Sequence, residues 1–413
     1  MTVRPAIASP EAPATIENAD ITVVGGAGHV GIPLVLALAE AGLRVNVNDL
    51  NPQTLTTLQA GELPFIEHGA QAVLAQALAN NRLVFTSSSN HISTGGPVII
   101  TIGTPIDEFL NPVRRVVQDC IDAMLPRLAD GQLVVLRSTV FPGTTDWLAA
   151  HLKAKGRKLK VAFCPERVVQ GYGLKELGTM PQIVSGCTPE AEQDAVKLFE
   201  RITPEVVVVS PIEAEFAKLF SNAYRYIEFA ATNEFYLVAK SAGVDYQRVL
   251  AAMKHNYPRL KGLPRPGFAA GPCLVKDTMQ LSAFARNQFG LGHAALLINE
   301  GLVLHVIDDL KRRFDLANTT VGLLGMAFKA ESDDNRASLS YKFKNALSGQ
   351  ARAVLTTDPF VTTDPELKPL GDVIAQSDLM ILCAPHAVYA QADFKGKPVF
   401  DVWGHVEGAN VIR

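Results

Sequence analysis

The sequence predicts an α/β chain in three parts. A doubly wound, mainly parallel sheet runs to residue 210, a central domain of long helices follows from 211 to 315, and a smaller α/β domain spans 316 to 413. Three observations carry this reading. Short apolar runs alternate with helical stretches up to residue 210. From Pro211 the periodicity lengthens into long helices, and beyond Arg313 the short apolar runs resume.

Composition narrows the class. A chain of 413 residues with 48% hydrophobic content has room for two or three domains, each with its own core. A net charge of -3 with no long basic runs leaves no nucleic-acid footprint. The five cysteines (120, 164, 187, 273 and 383) are widely spaced and odd in number, without the Cys-x-x-Cys spacing of a metal site. They fit a reducing cytoplasm, and no metal is expected. Met1 to Asp20, rich in Ala, Pro and Glu with Arg4 its one basic residue, reads as a flexible tail and not a signal peptide. The apolar run Ala294 to Ile307 is interrupted by Asn299, Glu300 and His305 and falls short of a membrane span of about 20 residues. A soluble protein with no membrane partner is expected.

In chain order, Ile21 to Val24 reads as a buried strand, and Gly26-Ala27-Gly28-His29-Val30-Gly31 follows at once, opening a helix from Ile32 to Ala41. A second strand, Arg44 to Asn48, ends at Asp49. This is a dinucleotide fingerprint in its required setting. Glycines permit a tight turn and close approach of a pyrophosphate to a helix N-terminus, and the acid about 20 residues on binds ribose hydroxyls. The N-terminal sheet is therefore Rossmann-like. Asp49 would repel a 2′-phosphate, and Leu50, Asn51 and Pro52 offer no arginine to receive one, so the expected cofactor is NAD. Further strands are Arg82 to Thr86, Val98 to Thr101, Leu133 to Arg137, Lys160 to Phe163 and Val206 to Val209; Thr188 and Pro189 cap a covering helix. Two loops at strand ends, Gly103-Thr104-Pro105 and Ser138 to Gly143, are placed to line a ligand crevice, although ordinary turn chemistry explains them equally well.

The central helices begin with Glu213 to Lys240, which carries Lys218 and Asn222 at i,i+4 spacing and Asn233-Glu234 further along. A lysine and an asparagine on a solvated face are usually decoration. Arg259 and Lys261 stand in a proline-rich approach to Gly267 to Asp277, within which Cys273 opens the helical run Leu274 to Asn287. A thiol there feels the positive end of the helix dipole, which favours the thiolate nucleophile. Asp277, four residues on, shares its face. The competing reading is a buried structural cysteine. After the helix Ala294 to Arg313, the runs Thr320 to Gly325, Ala353 to Thr356, Asp378 to Cys383 and Pro398 to Val402 read as a smaller nucleotide-binding sheet. It lacks the full glycine fingerprint and is expected to bind something other than NAD.

Together these motifs resemble the UDP-glucose/GDP-mannose dehydrogenase family from residue 21 to about 405, in family order: Gly26 to Gly31 with Asp49; Thr104-Pro105; Ser138-Thr139; Pro165-Glu166-Arg167; Lys218 with Asn222 and Asn233-Glu234; Cys273 to Asp277; and Gly325 to Lys329 with Arg336. The resemblance implies NAD-dependent oxidation of the C6 alcohol of a nucleotide sugar through a Cys273 thiohemiacetal and thioester. It implies oxyanion stabilisation by Lys218 and Asn222, proton handling on a positioned water by Asp277 with Thr139, and thioester hydrolysis assisted by Glu166. Thr104, Thr139 and Arg336 would join the fingerprint in holding NAD. Glu166, Arg167, Lys218, Asn222, Tyr257, Arg259, Gly267, Phe328 and Lys329 would hold a UDP-sugar. A homodimer is implied, with Phe216, Leu219, Phe220 and Ile227 among the apolar residues to be covered.

Glu166-Arg167-Val168-Val169-Gln170-Gly171 looks like the N-acetylhexosamine branch. Against this, Pro272 stands where those enzymes often place histidine, and Ala269 and Ala270 replace glycines in a loop one residue longer than in the glucose enzymes. UDP-glucose and GDP-mannose stay open as substrates. A two-electron hydroxyacid dehydrogenase would share the fingerprint and a catalytic lysine but needs neither Cys273 nor a third domain. A noncatalytic nucleotide-sugar-binding protein would have no use for Cys273, Lys218 and Asp277.

Overall fold

The computed structural model describes residues 19–107, 112–268 and 271–413. All but the last two residues of the tail expected at 1–20, and the pair Ala269-Ala270, lie outside the described residues. The chain divides into two compact units, one ending at Lys218 and the next beginning at Leu219.

The first unit is built on eight strands: β1 (Ile21–Val24), β2 (Val45–Asn48), β3 (Leu83–Thr86), β4 (Val98–Ile100), β5 (Leu133–Leu136), β6 (Lys160–Phe163), β7 (Gln182–Gly186) and β8 (Val206–Val208). Their spatial order is β3-β2-β1-β4-β5-β6-β7-β8. Strands β1, β4 and β5 are buried at every position, and apolar but for Thr22, because both faces of the sheet are covered. Alternate side chains serve different cores: Ile99 and Val135 pack with the fingerprint helix Gly31–Glu40, whereas Ile100, Val134 and Leu136 pack with Val117, Ile121 and Leu148. The expected doubly wound sheet is present, with ends within a residue of the sequence reading.

Strand β7 was not legible. It runs antiparallel to β6, pairing Ala162 with Gly186 and Phe163 with Ser185. Its polar residues conceal a buried strand, yet each is satisfied: Ser185 Oγ donates to Phe163 O at 2.9 Å and Gln182 Nε2 to Pro165 O at 3.1 Å.

The second unit has five parallel strands, β9 (Thr320–Leu324), β10 (Ala353–Thr357), β11 (Leu379–Leu382), β12 (Val399–Phe400) and β13 (Val411–Ile412), in the order β10-β9-β11-β12-β13. This is a second doubly wound topology with its switch point between β9 and β11. β13 is an addition to the sequence reading. The long helix Pro211–Ser241 begins in the first unit and ends in the second. The helix Gly290–Arg313 is long and apolar enough by length and composition to cross a membrane. Here it is a core helix, with Leu302, Val303, Val306 and Ile307 packed with Val321 and Leu323 of β9 and Ile381 of β11.

The turn after β9 is closed by an acid after β10. Asp358 Oδ2 accepts from Met326 N (2.6 Å) and Ala327 N (2.9 Å), and Oδ1 from Phe360 N (2.8 Å) and Val361 N (2.9 Å). His386 Nε2 lies 3.1 Å from Oδ2, with both side chains fully buried. Burial works to raise the Asp358 pKa, but the His386 hydrogen bond and charge and the loop amides outweigh it and hold the carboxyl below its ordinary value. A carboxyl depressed in this way stabilises the fold above its unfolded pKa, and the contribution disappears as pH falls through the folded one. Asp358→Asn, which turns an amide donor towards N–H donors, should therefore cost about 3 kcal/mol near neutrality. Urea unfolding followed from about pH 7 to about pH 3 should show the gap from wild type narrowing at the acid end.

Candidate active site

The fingerprint turn follows β1 and sits at the β1/β4 switch point of the first sheet. Gly25 at φ 77 starts it, and the N–H groups of Gly25 and Gly26 both donate to Asn48 O, at 2.8 and 3.1 Å. A Cβ on Gly31 would lie 2.3 Å from Gly25 O, so only glycine lets the helix begin so close to the turn. Ala27, Gly28, His29 and Val30 span the gap, with Val30 as the helix N-cap. Asp49 Oδ2 accepts from Ala27 N at 3.1 Å and Oδ1 from Asn51 N at 3.0 Å. The acid therefore orders the turn it would serve. At the ends of β4 and β5, Thr104 Oγ1 donates to Thr139 O and Ser138 Oγ to Ile102 O, both at 2.5 Å, fastening the two predicted ligand loops to each other.

Glu166 has a structural anchor that the sequence did not reveal. Arg137, fully buried at the end of β5, donates from Nη2 to Glu166 Oε2 at 2.5 Å and from Nη1 to Gln182 Oε1 and Cys164 O, with its guanidinium over the Phe199 ring. Glu166 Oε1 accepts from Arg167 N and Val168 N at 2.7 and 2.8 Å. Both carboxylate oxygens thus shape the loop after β6. Arg167 is turned towards Pro181 O.

In the second unit, Cys273 is the exposed N-cap of the helix Leu274–Phe284. The helix stops three residues before the expected Asn287 because Arg286 and Asn287 turn to φ 53 and 59. Asp277, one turn on, is fully buried; its Oδ2 accepts from Asn222 Nδ2 at 2.5 Å. Its Oδ1 has no hydrogen-bond partner among the described residues, with the Lys276 ammonium 3.5 Å away. Of the two residues picked out on the long helix, Asn222 is therefore not on a solvated face. Asn222 is 8% exposed and committed to Asp277, and Lys218 stands half-buried one turn before it.

The loop leading to Cys273 is fixed at two points. Asn233 Oδ1 accepts from Gly267 N (2.8 Å), and its Nδ2 donates to Gly267 O (3.0 Å) and Asn299 Oδ1 (2.9 Å). A Cβ on Gly267 would collide with the Trp403 ring at 2.3 Å. Gly271, at φ 107, lies against Phe328, where a Cβ would fall 2.7 Å from the ring, and its N–H points to Ala337 O at 3.4 Å. Phe328 therefore supports the cysteine loop. Arg336 makes a paired contact with Asp334 through Nε (2.9 Å) and Nη2 (2.6 Å). That hydrogen bonding raises the Arg336 pKa against the partial desolvation of its exposed side chain, and the charges of Asp334 and Cys273 add to the effect. Arg336 is thus in electrostatic reach of the thiol. Lys329, half-buried, follows Phe328 after β9, and Tyr257 and Arg259 are exposed, with Arg259 Nη1 donating to Tyr257 Oη at 3.2 Å. Sequence reasoning missed Arg137, Lys276, Asn299 and Trp403, none of which has a local pattern that marks it.

Models of three domains of one family match this chain: the NAD binding domain over residues 19–203, the central domain over 212–300 and the UDP binding domain over 322–407. The chain belongs to the UDP-glucose/GDP-mannose dehydrogenase family. The assignment makes it an NAD-dependent nucleotide-sugar dehydrogenase, as the motifs implied. A UDP-N-acetyl-D-mannosamine dehydrogenase of Pyrococcus horikoshii is 28% identical over 410 residues, covering 94% of this chain and 95% of the relative. An NDP-N-acetyl-D-galactosaminuronic acid dehydrogenase of Ralstonia nicotianae is 27% identical over 402 residues, covering 92% and 93%. Among solved structures, the UDP-D-ManNAc dehydrogenase of Pyrococcus horikoshii superposes with a TM-score of 0.87 at 26% identity, covering 94% of this chain and 96% of that one. A UDP-glucose dehydrogenase of Pyrobaculum islandicum gives 0.86 at 26% identity, covering 95% and 96%.

The glycine geometry yields a direct test. Gly271→Ala would need both a left-handed backbone and space that Phe328 occupies, a strain of about 1–3 kcal/mol. The variant should melt at a lower temperature than wild type, and iodoacetamide should modify Cys273 at an altered rate, read by mass spectrometry of the peptide.

Proposed function

We propose that this enzyme oxidises the C6 alcohol of a UDP-N-acetylhexosamine, such as UDP-N-acetylmannosamine or UDP-N-acetylglucosamine, to the uronate in two steps. One alcohol, two NAD and one water give one carboxylate, two NADH and three protons. The observation that carries the reading is the grouping of an exposed thiol at a helix N-terminus with a buried carboxylate one turn on, its Oδ2 held by Asn222 and its Oδ1 without a hydrogen-bond partner among the described residues.

NAD supplies the hydride acceptor for both steps. The chain's residues do the rest. Lys218 and Asn222 hold the C6 oxygen and stabilise its developing negative charge. Asp277 Oδ1 receives a proton from a water that Thr139 helps to position. Cys273 Sγ adds to the aldehyde carbon, which keeps the aldehyde on the enzyme; after the second oxidation, water attacks the thioester carbon and the thiolate leaves. A neighbouring guanidinium favours the thiolate, a role open to Arg336 in addition to cofactor binding. Glu166 assists hydrolysis from a loop that Arg137 keeps in shape.

The sugar assignment rests on Glu166-Arg167-Val168-x-x-Gly171 and on the N-acetylhexosamine enzymes among the relatives. The fold does not separate the branches, because a UDP-glucose enzyme superposes almost equally well. UDP-glucose is therefore the second reading. Phe328 and Lys329, beside the β9/β11 switch point, are assigned to the UDP, together with Tyr257, Arg259, Arg167 and Gly267. The domains are read as 21–210 for NAD, 211–315 for dimerisation and 316–413 for the UDP-sugar. The protein is assigned to the cytoplasm as a soluble enzyme.

A homodimer completes the proposal. Phe220, Tyr224, Phe235 and Val238 form one stripe on the long helix and are 47–63% exposed, and Leu297 and Leu304 are 74% and 51% exposed on Gly290–Arg313. A second copy is the commonest cover for such a surface. Leu219, expected at that interface, is instead fully buried within the single chain. Light scattering should give a mass above the 44.4 kDa of one chain; a concentration-independent monomer would overturn the dimer.

Assayed against UDP- and GDP-sugars, wild type should release two NADH per sugar oxidised, with the N-acetylhexosamines fastest. Cys273→Ser should give at most one small burst and leave a sugar adduct visible in the intact mass, because an ester is a poorer substrate for hydrolysis than a thioester. Steady uronate production by Cys273→Ser would sink the mechanism.

A further inference from the structure

We infer that His29 couples the dinucleotide turn to the loop assigned to the sugar, so that cofactor and nucleotide sugar bind with positive cooperativity. The inference rests on the proposed function for the identity of the two ligands. Its geometry lies wholly within the first unit.

His29 lies inside the fingerprint, between Gly28 and Val30, on a turn whose shape is set by the glycines and Asp49. Its ring packs at a tilt against Phe65, with centroids 3.9 Å apart and planes 34° from parallel. Its Nδ1 accepts from Gln170 Nε2 at 3.1 Å, a contact spanning 141 residues of sequence. Gln170 belongs to the loop after β6 that begins at Glu166. One half-buried ring therefore touches the turn's two neighbours at once.

Those neighbours are themselves joined. Glu67, two residues beyond Phe65, is buried and accepts from Leu174 N at 2.9 Å. His68 N donates to Gly171 O at 2.8 Å, and the His68 ring packs on Tyr172 with centroids 4.6 Å apart. The loop after β6 is fixed along its length, by Glu166 Oε1 at the amides of Arg167 and Val168 and by Glu176 Oε2 at Val169 N (2.6 Å). Gln170 comes next, and its side chain runs back to the fingerprint. A ligand that orders the turn restrains His29, and His29 restrains Gln170; the same holds in reverse, because binding coupling is reciprocal. His29 is in this sense a positioning residue.

The test measures coupling and needs no turnover. NADH and whichever nucleotide sugar of the panel is oxidised form a dead-end ternary complex, so the NADH Kd can be read by its fluorescence with and without saturating sugar. Wild type should bind NADH about tenfold more tightly with the sugar present. His29→Phe keeps a ring for Phe65 but loses Nδ1, and Gln170→Ala removes the other partner from a half-buried position; each should bring the ratio to about twofold or less, with the double variant falling no further. Retention of the wild-type ratio by either variant, additive losses in the double, or a wild-type ratio of one would overturn the coupling and leave the enzyme assignment intact. A wild type that binds neither NADH nor any nucleotide sugar would overturn the functional reading, and the coupling with it.

Discussion

A carboxylate in a fully buried side chain, with one oxygen held by an amide and the other without a hydrogen-bond partner, is an expensive thing to fold around. Among the described residues Asp277 is that group, and much of the second unit can be understood as holding it and the neighbouring thiol in place. Asn222 Nδ2 holds Oδ2, Lys276 stands near Oδ1, and the helix that carries Asp277 has Cys273 at its open end. Removing the carboxylate would relieve the burial penalty, but it would also remove an acceptor one turn from the proposed nucleophile. Polar groups left under-satisfied in this way are where proteins give up stability for chemistry.

The cysteine loop shows the same division of labour. Asn233 reads both the N–H and the C=O of Gly267, and Asn299 passes the constraint on to Tyr226 O through a 3.0 Å bond. All these side chains are buried, so no competing water weakens the bonds. Gly267 under Trp403 and Gly271 against Phe328 are glycines for lack of room, and Gly271 also for its backbone angle. Rigid support of a reactive group by packing of this kind is what allows near-attack geometry without reorganisation.

Much of this was legible in the sequence, for identifiable reasons. Buried parallel strands are continuous apolar runs, so β1, β4, β5, β6 and β9 stand out, and Cys273 was placed at a helix start by its proline and small neighbours. Strand β7 escaped because its burial depends on tertiary bonds from Ser185 and Gln182 that no local pattern announces. Arg137 escaped for the same reason: a strand-end arginine looks solvated until Glu166, Gln182 and Phe199 enclose it. Phe328, expected near a nucleotide base, also supports Gly271, a contact visible only once the two segments are folded together.

The two sheets also explain each other. In both, an acid after the second strand in space accepts amides of the turn after the first: Asp49 from Ala27 N, Asp358 from Met326 N and Ala327 N. Their fates differ. Asp49 is half-buried and accepts one amide on each oxygen, from Ala27 N and Asn51 N. Asp358 is enclosed by four amides and His386, with the Phe360 ring 5.2 Å from the imidazole, so its carboxylate has no remaining capacity for a ribose diol. The turn of the second sheet thus lacks the fingerprint glycines and closes on a filled acid, which makes it a structural closure. The proposed recognition of UDP in that unit therefore rests on residues beyond the closure, and Lys329 follows directly from it.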